Sequence, residues 1–288
     1  MTHIVKEKGF YMRLKNYRLI CLICLIAFLI SLWTGKLVKE SYRNRLEESI
    51  TTSNLYREQN VGDEMIAFIR TVSKPGKYVG IYLLESKFGY QEWKTKMSAD
   101  IFSKLEKDWK MNENYKNYIE MTEAIWNDVT YFPVPEFTED SSMRVSYVNT
   151  WMAERSYGGE RGHEGTDIMA NKNERGLYPI VSMTDGIVEK MGWLEKGGYR
   201  IGVKSSGGAY FYYAHLDSYA DLKEGDEVRA GDILGFMGDS GYGPEGTVGQ
   251  FAVHLHLGIY IYPDGKEMSI NPYWILRYIE NRKVKCYT

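Results

Sequence analysis

Cysteine is scarce in this chain of 288 residues: Cys21 and Cys24 lie inside an apolar run and Cys286 stands near the last residue. Three such residues exclude a disulfide framework and a Cys-rich zinc finger alike. Histidine is nearly as rare, with five residues, so a site built on sulfur or imidazole must draw on eight side chains in all. Excess charge of one sign is missing as well. The net charge is -2, and no global basic field draws the chain to nucleic acid. With 44% hydrophobic and 26% charged residues the composition is that of a globular protein, and the length fits one or two domains.

What is present begins with an apolar run, LICLICLIAFLISLW from Leu19 to Trp33, which contains no charge, Pro or Gly. Extended to Gly35, it reaches roughly 25 Å as a helix, the short edge of what spans a bilayer. Tyr17 and Trp33 bracket it, and Arg18 and Lys36 close its ends. The following TGKLVKES offers no A-x-A cleavage pattern, so the run reads as an uncleaved transmembrane anchor over 19–35 behind a short cytoplasmic tail, 1–18. Five basic residues precede it (Lys6, Lys8, Arg13, Lys15, Arg18) and four follow (Lys36, Lys39, Arg43, Arg45). That bias is small. It favours a cytoplasmic N-terminus, a single-pass cell-membrane protein and an extracytoplasmic bulk.

Residues 36–130 read as a small helical stalk or accessory domain. Met65, Ile66, Ile69 and Val72 keep helical spacing, as do Ile101, Leu105 and Trp109, and then Tyr115, Tyr118, Ile119 and Thr122. Lys74-Pro75-Gly76-Lys77 reads as the turn between two helices. Nothing in the segment suggests chemistry; it is the part of the chain available to a protein partner. Past Phe132-Pro133-Val134-Pro135, Gly becomes frequent and short apolar runs alternate with turns. Examples are Gly186-Ile187-Val188, Tyr210-Phe211-Tyr212-Tyr213 and the stretch from Thr247 to Leu257. Residues 131–288 are therefore expected to be mainly β, an antiparallel sandwich or roll.

Four of the five histidines fall in this second half: His163, His215, His254 and His256. In VHLHLGI the strand period puts His254 and His256 on one face, with Leu255 and Leu257 turned to the core. Gly162-His163-Glu164-Gly165-Thr166-Asp167 offers an imidazole and a carboxylate four residues apart. Gly165 disfavours a helix, so this reads as a loop feeding a strand and not as a zincin helix. His215 closes the aromatic strand at Tyr213-Ala214-His215-Leu216. Two His and one Asp would leave a tetrahedral zinc with one open position, and two further His for proton handling.

Taken together, HEGTDI, YAHL at 213–216 and HLH resemble the lysostaphin/LytM-type zinc endopeptidases of peptidoglycan, with DGIVEKMGW and EGDEVRAGDILGFMG similar to the family's strands and turns. The resemblance covers about residues 130–275. It implies Zn2+ held by His163, Asp167 and His256, with His215 and His254 as the catalytic pair, their roles not divided. It further implies hydrolysis of a stem-peptide or cross-bridge bond in the bacterial cell wall. One departure is the stretch EGTVGQFAV between Gly243-Pro244 and His254, which is expected to reshape a rim of the cleft. The same β domain would also serve a non-catalytic cell-wall or partner-binding module, such as a sporulation or division contact protein, or a general extracellular metalloprotease. Gly241-Tyr242-Gly243-Pro244-Glu245-Gly246 satisfies G-x-G-x-x-G, but Pro244 where a helix should open makes it a loop.

Overall fold

A computed structural model describes residues 2–43, 46, 53–89, 96–157 and 159–286. Parts of the expected helical segment, residues 44–45, 47–52 and 90–95, lie outside the described residues, as do residue 1 of the tail and residues 158, 287 and 288. The chain divides into two compact units, Met1–Glu47 and Glu48–Thr288.

The first unit is helix α1, Thr2–Arg43. The helix is longer than its apolar run and continues through the basic residues expected as a tail. Within it Tyr17–Val38, 22 residues of mean hydropathy 2.2, is long and apolar enough to cross a membrane. Every side chain of that stretch is exposed, and so are Cys21 and Cys24, which with Cys286 are free thiols.

The second unit joins helices to a sheet. Helix α2 (Asn54–Arg57) is a single turn capped by Ser53, whose hydroxyl accepts from the Tyr56 N–H. Helix α3 (Gly62–Ile69) buries Met65, Ile66 and Ile69, and the chain breaks before Val72, which lies in the turn and not on the helix. Pro75 opens α4 (Pro75–Glu85), because a locked φ and a missing N–H cost nothing at the first helical position. Helix α5 (Ala99–Trp109) is capped by Ser98 and buries Phe102 and Trp109. Helix α6 (Tyr115–Trp126) buries Tyr118, Thr122, Ile125 and Trp126. It lies so close to α4 that a Cβ on Gly76 would stand 2.5 Å from the Glu123 Cα.

Ten strands make one sheet: β1 (Val145–Tyr147), β2 (Thr166–Ala170), β3 (Pro179–Val181), β4 (Gly186–Leu194) and β5 (Gly198–Ser205), then β6 (Tyr210–Tyr219), β7 (Glu227–Val228), β8 (Ile233–Met237), β9 (His254–Ile261) and β10 (Met268–Ile270). The order is β7-β4-β5-β6-β9-β2-β1, with β8 bridging β3 and β6 and β10 flanking β9, and the pairings are antiparallel. The mainly antiparallel β architecture expected from the short Gly-punctuated runs is the one found. Its core face is apolar: Ile168, Ile201, Val203, Phe211, Tyr213, Leu216, Leu255, Leu257 and Ile259 are fully buried. Helix α7 (Tyr273–Ile279) follows the sheet.

The helices share this core. Trp126 donates its indole N–H to Gln59 (2.7 Å) and its ring lies 6.0 Å from that of Tyr278 on α7. Arg57, the last residue of α2, donates to the Ser269 carbonyl on β10 at 3.0 Å and to the Glu164 carboxylate at 2.5 Å. Its own carbonyl accepts from the Asn271 N–H at 2.8 Å. A hydrogen-bonded bridge thus runs from the helical residues to the loop that carries His163.

One strand is shorter than the sequence suggests. The stretch from Thr247 to Val253 is not a strand, and β9 begins only at His254. The N–H groups there are taken by other partners: Thr247 donates to the Pro244 carbonyl at 3.0 Å and Val253 to the Asn173 side chain at 2.7 Å. Gly249, at φ 77, bends the chain out of extended geometry.

Candidate functional site

The antiparallel register does the first part of the work. Strand β9 pairs with β2 so that His256 stands directly opposite Asp167, and on its other side with β6 so that His256 faces Ala214. His254, two residues along β9, shares that face, because successive strand side chains alternate. His163 arrives from the loop before β2 and is 2% exposed. His163 Nε2, Asp167 Oδ1 and His256 Nδ1 then converge: 2.9 Å between the two nitrogens and 3.0 Å from each to the carboxylate oxygen.

His215 reaches the same place by a different route. Strict alternation along β6 would turn it away from Ala214 and into the core beside Tyr213. Instead the β5–β6 register shifts between Tyr199 and Ile201, and His215 takes a left-handed φ of 64. Tyr213 and Leu216, three apart, are then both core residues, while Ala214 and His215 face the site. The His215 ring lies 4.8 Å from that of His254 and 5.9 Å from that of His256. Tyr213 lies on the other face and accepts from the Met183 N–H, whereas Tyr210 and Tyr212 of the same aromatic run line the groove.

Each functional side chain has a partner that orients it. His163 Nδ1 lies 3.0 Å from the Thr150 hydroxyl, which leaves Nε2 as the nitrogen aimed at the cluster. Arg155 donates to Asp167 Oδ2 at 2.6 Å, so the second carboxylate oxygen is held and Oδ1 points inward. His215 Nδ1 donates to the Ser240 carbonyl (2.7 Å) and His254 Nδ1 to the Ala252 carbonyl (2.7 Å). Both rings therefore keep Nε2 as a free acceptor. Gly165 carries no Cβ for a reason: one would stand 2.4 Å from His256 Cε1.

Electrostatics follow from burial and from these neighbours. Burial works against ionisation of Asp167, yet the adjoining His163 and His256 imidazoles outweigh it and hold the carboxyl well below the usual range. Burial, with the nearby His254 and His256 rings, depresses His215 far below the ordinary imidazole value. Burial also lowers His254, against the pull of Asp167. Both are neutral bases near pH 7.

The donor set fits a zinc ion. Two imidazole nitrogens and one carboxylate oxygen about 3 Å apart share a point about 2.0–2.2 Å from all three, the distance such ligands take from zinc. A groove of about 920 Å³ opens over the cluster. Phe251, from the stretch before β9, packs its ring 4.6 Å from His215 and 5.1 Å from His254, and Tyr242 packs on Phe251 at 4.9 Å. That stretch thus builds one wall. No spacing rule points to Arg155, Thr150 or Ser240, which stand 12, 13 and 25 positions from the side chains they hold, whereas Phe251 belongs to the stretch expected to reshape the rim.

Replacing Arg155 by Ala frees Asp167 Oδ2. We expect apparent zinc affinity to fall about 10–100-fold, the usual effect of removing an outer partner of a ligand. Competition with a chromogenic chelator measures it, and an unchanged affinity would show the Arg155–Asp167 pair to be irrelevant to the donor set.

Two family descriptions match the chain: "LytM, N-terminal domain" over residues 41–128 and "Peptidase family M23" over residues 161–272. A crystal structure from Ruminococcus gnavus, described provisionally as a glycyl-glycine endopeptidase lytM, is 51% identical, with a TM-score of 0.80 over 85% of this chain and 98% of that one. The L-Ala--D-Glu endopeptidase of Bacillus subtilis is 44% identical over 147 residues, 51% of this chain and 42% of that protein. Glycyl-glycine endopeptidase ALE-1 of Staphylococcus capitis is 32% identical over 124 residues, 40% of this chain and 31% of that protein. The chain spans less than half the length of these curated relatives.

Proposed function

The chain belongs to peptidase family M23, and from that premise we propose that it is a membrane-anchored zinc endopeptidase of bacterial peptidoglycan, cutting peptide bonds in stem peptides or cross-bridges. The observation that carries the reading is the convergence of three donor atoms about 3 Å apart beneath a groove that also holds two neutral imidazoles.

His163, Asp167 and His256 would hold the ion. Zinc bound there supplies Lewis-acid chemistry, lowering the pKa of water toward about 7 and drawing charge from the scissile carbonyl. His215 and His254 handle the proton. Their Nδ1–H groups are tied to backbone carbonyls, so Nε2 of either accepts a proton from the attacking water and returns it to the amine as the C–N bond breaks. The phenols of Tyr210 and Tyr212 and the rings of Tyr242 and Phe251 give the peptide a wall to lie on.

Location is part of the proposal. Tyr17–Val38 measures about 33 Å as a helix, enough for a hydrocarbon core of about 30 Å. We read 1–18 as the cytoplasmic side, 36–130 as the helical segment, open to a protein partner, and 131–288 as the peptidase domain, outside the cytoplasm where the wall substrate lies. The division near residue 130 is one of sequence and secondary structure; residues 48–288 pack as one unit.

The test uses the full chain in detergent micelles. It should carry about one zinc by plasma mass spectrometry and release new amino termini from purified peptidoglycan, identified by mass spectrometry of the digest. A zinc-loaded chain that binds the wall but cuts nothing would favour the non-catalytic module instead.

A further inference from the structure

The groove is cationic in a chain that is not. Among the described residues six Lys and Arg side chains line it against four Asp and Glu, while the whole chain stands at -2. The four acids are engaged. Asp167 meets the imidazoles and Arg155, and Glu164 accepts from Arg57. Glu189 lies 3.6 Å from Lys204, and Glu267 lies 3.5 Å from the Tyr262 hydroxyl. Two guanidiniums stand otherwise. Arg161 Nε and Arg200 Nη1 are buried and find no acceptor among the described residues.

Arg200 is the better placed. Ile201 pairs with Tyr213 and both point into the core, so Arg200, its neighbour on β5, turns to the opposite face, the one that carries Tyr212 and His256. The Tyr212 ring lies 6.1 Å from that of His256, and Arg200 lines the same groove as both. The phenols around it add no negative charge: burial, against the pull of Arg200, pushes Tyr212 up to about 12, and burial raises Tyr210 and Tyr260 as well. A buried charged N–H without an acceptor is costly, and a structure that keeps one inside a ligand groove is completed by a ligand that brings the acceptor. A guanidinium presents the planar donor fork that matches a carboxylate.

We propose that Arg200 forms a carboxylate-binding subsite, and that the substrate is an acidic peptide with a free carboxylate beside the scissile bond, not a neutral glycine cross-bridge. The inference deepens the endopeptidase reading above and rests on it for the word substrate.

Three probes separate the cases: an L-Ala–D-Glu peptide with its carboxylate free, the same peptide as the carboxamide, and pentaglycine. With the zinc-loaded full chain in micelles, kcat/KM for the acid should exceed that for the amide about 10- to 100-fold, the range for a hydrogen bond to a charged group. Arg200→Gln should collapse that ratio toward one, and Arg200→Lys, which keeps charge without the fork, should retain part of it. A wild-type ratio near one, an Arg200→Gln ratio equal to wild type, or pentaglycine as the best substrate overturns the subsite. Calorimetric binding of the acid and the amide to the wild-type chain is measured in parallel. If no peptide is cut, the endopeptidase reading fails, and the acid-to-amide ratio of binding constants still decides the subsite.

Discussion

His256→Ala is expected to strip the protein of zinc and of hydrolysis together. The substitution leaves His163 and Asp167, two donors where the cluster has three, and removes a nitrogen that stands 2.9 and 3.0 Å from the other two donor atoms. Affinity should fall by more than the about 10–100-fold that follows loss of an outer partner, because a donor atom itself is gone. Metal content should drop from about one ion per chain to background after dialysis. The rate of release of new amino termini from peptidoglycan should fall with it to that of buffer. The sheet should survive, since Leu255 and Leu257, on the core face, are untouched. A His256→Ala chain that keeps a full complement of zinc would refute the assignment of His163, Asp167 and His256 as the donor set.

His254→Ala should separate the two properties. Its ring is outside the donor triangle, with Nε2 3.7 Å from Asp167 Oδ1 and Nδ1 tied to the Ala252 carbonyl. Zinc should therefore stay near one ion per chain while kcat falls about 10²–10⁴-fold, the usual worth of a positioned proton-transfer group. The readouts are metal content and turnover on the same preparation. Loss of zinc equal to that of His256→Ala would make His254 a ligand; full activity would remove it from the chemistry. His215, whose ring lies 4.8 Å from that of His254, belongs to the same unit. The double substitution His215→Ala/His254→Ala should thus cost little more than the larger single one.

Parts of this site could be read along the chain because they depend on near neighbours. The one-face placement of His254 and His256 follows from a period of two, and Gly165 told against a helix through His163–Asp167. The α3, α5 and α6 spans followed from apolar spacing, although the turn at Val72 came sooner than the period suggested. The stretch from Thr247 to Val253 misled for a related reason. Its residue types suit a strand, but its amide groups had already found partners in Pro244 and Asn173.

The sequence by itself determined the donor chemistry: four clustered imidazoles and one carboxylate in short motifs, with almost no cysteine to compete, and an antiparallel β scaffold to carry them. Only the tertiary structure decided how they meet. Asp167 and His256 are 89 positions apart, and the register that sets them opposite each other is a property of two strands packed on a common core. The bulge that turns His215 onto the site face, the reach of Arg155 to Asp167 and an Arg200 Nη1 without an acceptor among the described residues are long-range results of the same kind. Local spacing sets which way a side chain points within its own strand, whereas partners, burial and unmet hydrogen bonds depend on residues that no nearby pattern foretells.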